Sequence, residues 1–132
     1  MYTMKETSQR VGMTYEALKF YCNEGLVPNV KRDKNNHRIF DDRDVSWIDG
    51  LTCLRKCGMS ISDMKVYLDL CMAGESSISE RKAMLEAQRK VLVDRIRELT
   101  GSIEYIDSKQ MFYDNVLEGK VKYFSNLISV ED

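Results

Sequence analysis

Apolar positions near the start of the chain fall in two short stripes. Met4, Ser8 and Val11 line one face at helical spacing, and Ala17, Leu18 and Tyr21 line another after a break. The pattern predicts helices over Met4–Gly12 and Thr14–Asn23, with Gly12 ending the first and Thr14 capping the second. Two short helices joined by so tight a glycine-containing turn read as a helix-turn-helix. From Leu26 to Phe40 the character changes. Val27, Val30, Ile39 and Phe40 flank the polar segment KRDKNNHR, which predicts a two-stranded hairpin. Asn35-Asn36 falls at its tip, where asparagine tolerates left-handed backbone. Asp41 then caps a third helix running through Val45, Ile48, Leu51 and Leu54 to Gly58. Ser60 opens a fourth, with Ile61, Met64, Tyr67 and Leu68 on its apolar face, ending near Gly74.

From Ser77 the period lengthens. Leu85, Leu92, Leu99, Ile106 and Tyr113 recur every seven residues, with Ile96 and Ile103 in the alternate position. Such a run is a coiled-coil seam, and a lone long helix cannot hide one from water. Homodimerisation is the economical solution. The alternative is a seam folded back on the N-terminal helices, which have little apolar surface to spare. Gly101 interrupts the run at a cost of about 1 kcal/mol relative to alanine, either permitting close helix approach or simply tolerated. The tail after Gly119, KVKYFSNLISVED, is apolar enough to predict a short docked helix. These patterns divide the chain at residues 1–74, 75–118 and 119–132.

Composition narrows the picture. With 43% hydrophobic and 31% charged residues the chain is expected to fold, largely as helix. A net charge of −1 excludes a uniformly basic surface, so any contact with nucleic acid must come from a local patch. No apolar run is long enough to cross a bilayer and no apolar signal segment follows Met1, so a cytoplasmic protein without a membrane partner is expected. Its four cysteines, Cys22, Cys53, Cys57 and Cys71, are then expected as reduced thiols. They form no CxxC pair, and His37 is the only histidine, so neither a metal nor another cofactor is expected. The same scarcity leaves no Ser/His/Asp or Cys/His constellation, and an enzyme is not expected.

The local patch exists. Thr14, Tyr15, Lys19 and Tyr21 belong to the second helix, while Lys31, Arg32, Lys34, Asn36, His37 and Arg38 crowd the hairpin. Cations neutralise phosphates, and Thr, Asn and His add hydrogen bonds to phosphates or base edges. A recognition helix in the major groove, beside a basic wing on the neighbouring backbone, is a coherent arrangement. The rival reading is a solvated charged loop on a coiled-coil protein-interaction adaptor that binds no DNA.

The stretch from Met1 to Leu68 resembles the DNA-binding domain of the MerR family of bacterial transcription regulators. LKFYCNEGLVP is similar to that family's LRYY…GL…P run, and HRIFDDRDV to its YRxYxxxDL junction. The resemblance implies a mainly α protein: a winged helix-turn-helix, a helix pair, then a long dimerisation helix forming an antiparallel coiled coil. It implies a homodimer on double-stranded promoter DNA that untwists and bends a poorly spaced promoter for RNA polymerase, at a cost in DNA deformation that the contacts must offset. By the same resemblance Tyr21 matches a phosphate-contacting tyrosine, Lys19 stands for an arginine, and Arg38 matches the arginine of the wing. Phe20 stands where many members carry a second tyrosine, Asn36 where many carry glycine, and His37 where they carry an aromatic residue. The dimer interface falls on Leu85, Leu92, Ile96, Leu99, Ile103 and Ile106.

Family regulators differ mainly in what they sense. A further ligand-binding domain is not expected in the tail. Metal-sensing members carry cysteines at the start of the dimer helix and after it. Here Ser77 and Ser79 occupy the start, and no cysteine follows Cys71. WIDGLTCLRKCGMSI and the stretch from Glu80 to Lys109 resemble a branch whose cysteine on the third helix is associated with thiol-reactive stress, including aldehydes. That resemblance makes Cys53 a sensor-thiol candidate, with Arg55, Lys56 or Lys65 available to favour thiolate. Two alternatives stay open: Cys53 as a packing residue, or a regulator gated by an unidentified small ligand. A Cys53–Cys57 disulfide is disfavoured, because helical i,i+4 Cβ atoms lie about 5–6 Å apart and a bridge needs about 3.5–4.5 Å.

Overall fold

The computed structural model describes residues 1–130; of the C-terminal tail, Glu131 and Asp132 lie outside the described residues. The chain runs β1 (Tyr2–Thr3), α1 (Met4–Val11), α2 (Tyr15–Asn23), β2 (Lys31–Arg32), β3 (Arg38–Phe40), α3 (Asp42–Lys56), α4 (Ile61–Met72), a 3₁₀ turn (Glu75–Ser77) and α5 (Ile78–Leu117). The fold is mainly α, with the winged helix-turn-helix and the long C-terminal helix that the sequence predicts.

Local chemistry sets most boundaries. Thr3 and Glu6 form a reciprocal capping box at the start of α1, at 3.1 and 3.0 Å. Gly12, at φ 69, closes that helix in the left-handed region, which glycine enters without steric penalty. Thr14 accepts the Ala17 N–H at 3.1 Å and starts α2 two residues later. Asp41 and Asp44 repeat the capping box at α3, at 2.8 and 2.9 Å, and the Ser60 hydroxyl caps α4 by accepting the Asp63 N–H.

Packing divides the chain into two compact units, Met1–Lys90 and the residues from Val91 onward. In the first, α1–α4 enclose a core in which Leu18, Leu26, Phe40, Ile48, Leu51 and Met64 lose essentially all solvent contact. Burying a side chain of this kind stabilises by about 1.5–3 kcal/mol. Trp47 Nε1 donates to the Leu26 carbonyl at 2.7 Å and ties α3 to the segment leaving α2. The expected hairpin supplies two strands of a three-stranded antiparallel sheet, order β1-β3-β2, with β3 central, Tyr2 opposite Phe40 and Lys31 opposite Ile39. Strand β1 is unforeseen, because two residues carry no readable alternation.

The first turns of α5 belong to the first unit and are bound to the ends of α3 and α4. Gln88 Nε2 donates to the Cys57 carbonyl at 2.5 Å. Arg81 reaches the Gly74 carbonyl at 2.7 Å and the Ser77 hydroxyl at 3.1 Å, and that buried hydroxyl is shared between the carbonyls of Gly74 and Leu70.

In the second unit α5 continues as helix through Gly101 to Leu117. Residue 101 lies about 200° around the helix from Leu99, so it faces away from the seam and is not a close-approach point. The helix predicted for the tail does not form. Gly119, at φ 76, turns the chain into an irregular segment, with the Tyr123 and Phe124 rings 6.5 and 4.9 Å from Phe112. Aromatic packing onto α5, not helix, orders this segment.

Candidate nucleic-acid interface

The wing is organised by one carboxylate. Asp33 Oδ1 accepts the backbone N–H groups of Asn35 and His37, each at 2.9 Å, and the Asp33 N–H donates to the His37 carbonyl at 2.9 Å. The backbone donor of His37, followed by that of Asn35, holds the Asp33 carboxyl below its ordinary range. Asn36 sits at the tip with φ 63, the left-handed conformation expected of an Asn-Asn turn. Arg32 donates to the Asn36 carbonyl at 2.9 Å. Arg38 donates to Asn23 Oδ1 at 2.7 Å and so anchors the wing to the end of α2. His37 is 78% exposed, with Nδ1 3.9 Å from Asp33.

Between α1–α2 and the wing lies an open groove of about 390 Å³. Lys5, Tyr15, Arg32, His37 and Arg38 line it with Thr3. Sequence reasoning missed Lys5, whose place beside the wing follows from the pairing of β1 with β3 and from no local motif. Tyr15 stands half-exposed in this groove. Lys19 and Lys34 are exposed and take part in no ion pair among the described residues. Thr14 already spends its hydroxyl on the α2 cap.

Two expected contact residues are placed differently. Lys31 points to the root of α3, donating to Asp41 Oδ2 at 2.9 Å, Asp44 Oδ2 at 3.2 Å and the Asn29 carbonyl at 3.0 Å. The Lys31 hydrogen bond, then the Asp44 N–H, lowers the Asp41 carboxyl to about 2, while the bonds that Lys31 donates to Asp41 and Asp44 raise the lysine. Its charge is therefore committed inside the fold. Tyr21 is only 3% exposed, so its ring belongs to the core. Among the described residues its hydroxyl has no hydrogen-bond partner, yet the sole enclosed side-chain oxygen without one there is Thr7 Oγ1.

The thiols separate by position. Cys53 is exposed on α3 and lies outside the core; Cys22, Cys57 and Cys71 are partly buried. Burial is the main cause that raises the Cys22 thiol. Of the cations expected near Cys53, Lys65 is paired with Glu24 at 2.7 Å. Cys71 joins Pro28, Arg43, Trp47, Leu68 and Met72 around a cavity of about 190 Å³. Among the described residues no three His, Cys, Asp or Glu side chains cluster at metal-binding range, and no helix is long and apolar enough to cross a membrane.

A helix-turn-helix with a cation-bearing wing set beside it defines a DNA-reading winged-helix module. Residues 2–71, over half the chain, match the MerR HTH family of regulatory proteins, and the chain belongs to that family of transcription regulators. An HTH-type transcriptional regulator of Haemophilus influenzae is 36% identical over 112 residues, covering 85% of this chain and 83% of its own. The regulator AdhR of Bacillus subtilis is 32% identical over 89 residues, 67% of this chain and 64% of its own. Among solved structures, HiNmlR, a MerR family regulator lacking the sensor domain and bound to promoter DNA, superposes with a TM-score of 0.73 at 34% identity, covering 89% of this chain and 93% of that one.

Proposed function

We propose that this chain is a homodimeric regulator that binds double-stranded promoter DNA, remodels the promoter spacer for RNA polymerase, and is switched by electrophile modification of Cys53. The observation that carries the DNA-binding part is the groove between α1–α2 and the wing, where Lys5, Arg32 and Arg38 face the same opening as Tyr15 and His37. Cations converging on one concave face neutralise adjacent phosphates while α2 reaches the major groove. Lys19, Lys34 and the Tyr21 hydroxyl complete the face, with Thr14 and Asn36 holding α2 and the wing tip in shape. The promoter DNA bound to HiNmlR supports the reading. A cytoplasmic location follows from it.

Pairing comes from α5. Leu85, Ile96, Leu99, Ile103 and Ile106 are exposed in the single chain and Leu92 partly so, a stripe that a second copy covers in an antiparallel coiled coil. Cys53 supplies the switch. Its thiolate sulfur adds to the carbonyl carbon of an aldehyde and the carbonyl oxygen takes up a proton, giving a hemithioacetal without change of oxidation state. The adduct adds volume on α3 and biases the dimer between two arrangements.

A second reading, favoured by the cavity beside Trp47, keeps the DNA-binding dimer and replaces thiol chemistry with a small ligand. DNase footprinting on the DNA upstream of its own gene is expected to show a two-fold symmetric protected site; an unprotected region overturns the DNA-binding proposal. A promoter reporter challenged with aldehyde separates the switches. Loss of response in Cys53→Ser supports the thiol, and an unchanged response transfers the switch to the ligand.

A further inference from the structure

The cavity beside Trp47 lies wholly within the first unit, among the segment leaving α2, the start of α3 and the end of α4. Its volume is about 190 Å³. A cavity of roughly 150 Å³ holds a benzene-sized molecule, so this one suits a small side chain and not a drug-sized ligand. Pro28, Trp47, Leu68 and Met72 give it apolar walls. Trp47 Nε1 is spent on the Leu26 carbonyl, which leaves the indole no donor for a ligand. Met72, 62% exposed, carries the apolar lining out to the surface.

Two groups of opposite charge, Arg43 and Asp44, line the same cavity. Asp44 is buried, and its Oδ2 accepts both the Lys31 ammonium and the Asp41 N–H, at 3.2 and 2.9 Å. Its Oδ1 accepts no hydrogen bond among the described residues. Lys31 is shared with Asp41, so one ammonium stands between two carboxylates and one negative charge is left over. The Arg43 guanidinium takes part in no hydrogen bond or ion pair among the described residues. A plain carboxylate ligand would gain Arg43 but meet Asp44, and a plain amine would gain Asp44 but meet Arg43. A ligand that carries both charges satisfies both groups.

We infer that this cavity binds a free α-amino acid with a small apolar side chain. Its ammonium donates to Asp44 Oδ1, its carboxylate pairs with the Arg43 guanidinium, and its side chain packs against Trp47 and Leu68. The inference gives a ligand class to the second reading above and does not depend on Cys53. The site shares Asp44 with the clamp that Lys31 of β2 forms at the root of α3. A ligand ammonium that draws on Asp44 therefore acts on the same contact that sets the wing against α3, which couples occupancy to the DNA face.

The chain has a single tryptophan, so the emission of Trp47 reports on this cavity directly. The test is a titration of the full chain with L-leucine and L-methionine, with a saturable change in emission expected. Leucinamide, which lacks the carboxylate, and isocaproate, which lacks the ammonium, are each expected to bind about tenfold or more weakly, the effect of losing one charge-assisted contact. Arg43→Gln, at an exposed position, is expected to melt at the wild-type temperature and to bind leucine only as well as the wild type binds leucinamide. Emission that responds to neither amino acid, or analogues that bind as tightly as leucine, overturns the inference. Equal leucine affinity in wild type and Arg43→Gln overturns it as well. Leucine binding of the expected pattern that leaves promoter affinity unchanged supports the site and overturns the ligand-switch reading alone.

Discussion

Lys31 shows how charge counting along a sequence misassigns a residue. It is one of four hairpin cations, yet its ammonium lies between Asp41 and Asp44, ten and thirteen positions away. Only closure of the wing onto α3 brings them together, so no local pattern announces the pair. Asp44 is buried, and the lysine is what balances its charge inside the fold. Lys31→Met is therefore expected to lower the melting temperature and to leave the salt dependence of DNA binding nearly unchanged. Lys34→Ala, which removes a cation outside any ion pair, is expected to reduce the slope of log K against log salt by about one without affecting stability. The reverse assignment of the two effects would return Lys31 to the DNA face.

The same clamp has a pH signature. Asp41 is held at about 2 against an ordinary value of 3.8, so its contribution to stability is complete above that ordinary value and is lost as pH falls through 2. Asp41→Asn keeps a capping oxygen and removes the charge. Thermal melts of this variant between pH 4 and 2 are expected to vary less with pH than those of the wild type. Parallel pH dependence in the two proteins would place the acid-sensitive group elsewhere.

At the scale of elements, the features legible in the sequence are those decided locally. The stops and starts at Gly12, Thr14, Asp41 and Ser60 were readable because a cap involves one side chain and an N–H three residues on. Ser60→Ala is expected to cost about 1 kcal/mol in chemical denaturation, with DNA affinity unchanged, because α4 lies away from the groove. Strand β1 and the ringed tail were not readable. The first exists only through pairing with β3, and the second through contacts with Phe112, so each depends on a partner distant in sequence. The basic wing was legible as composition. Its shape, set by Asp33 accepting two backbone donors, was not.

For the whole molecule, the apolar period of α5 is the feature that sequence conveys best, since a seven-residue repeat survives any uncertainty about its ends. Its exposure in the single chain is the physical argument for the proposed second copy. Leu99→Glu, which puts a carboxylate into the seam of the proposed dimer, is expected to yield a monomer in sedimentation and to weaken promoter binding by the loss of one of two half-sites. A dimer of undiminished stability would move the interface off the seam. Membership of the MerR family accounts for the order of the elements, and the placement of Cys53 outside the core makes a thiol switch chemically accessible.

The central claim is that the face formed by α2 and the wing binds duplex DNA through phosphates. A fluorescence anisotropy titration of the wild type against its own upstream duplex, at 50 and 200 mM salt, tests this most directly. Six or more neutralised phosphates predict an affinity lower by about 10³-fold or more at the higher salt, and Arg38→Ala is expected to shrink that ratio. Binding that is absent, or equal at the two salt concentrations, would contradict the account and leave a coiled-coil adaptor that carries a wing for some other purpose.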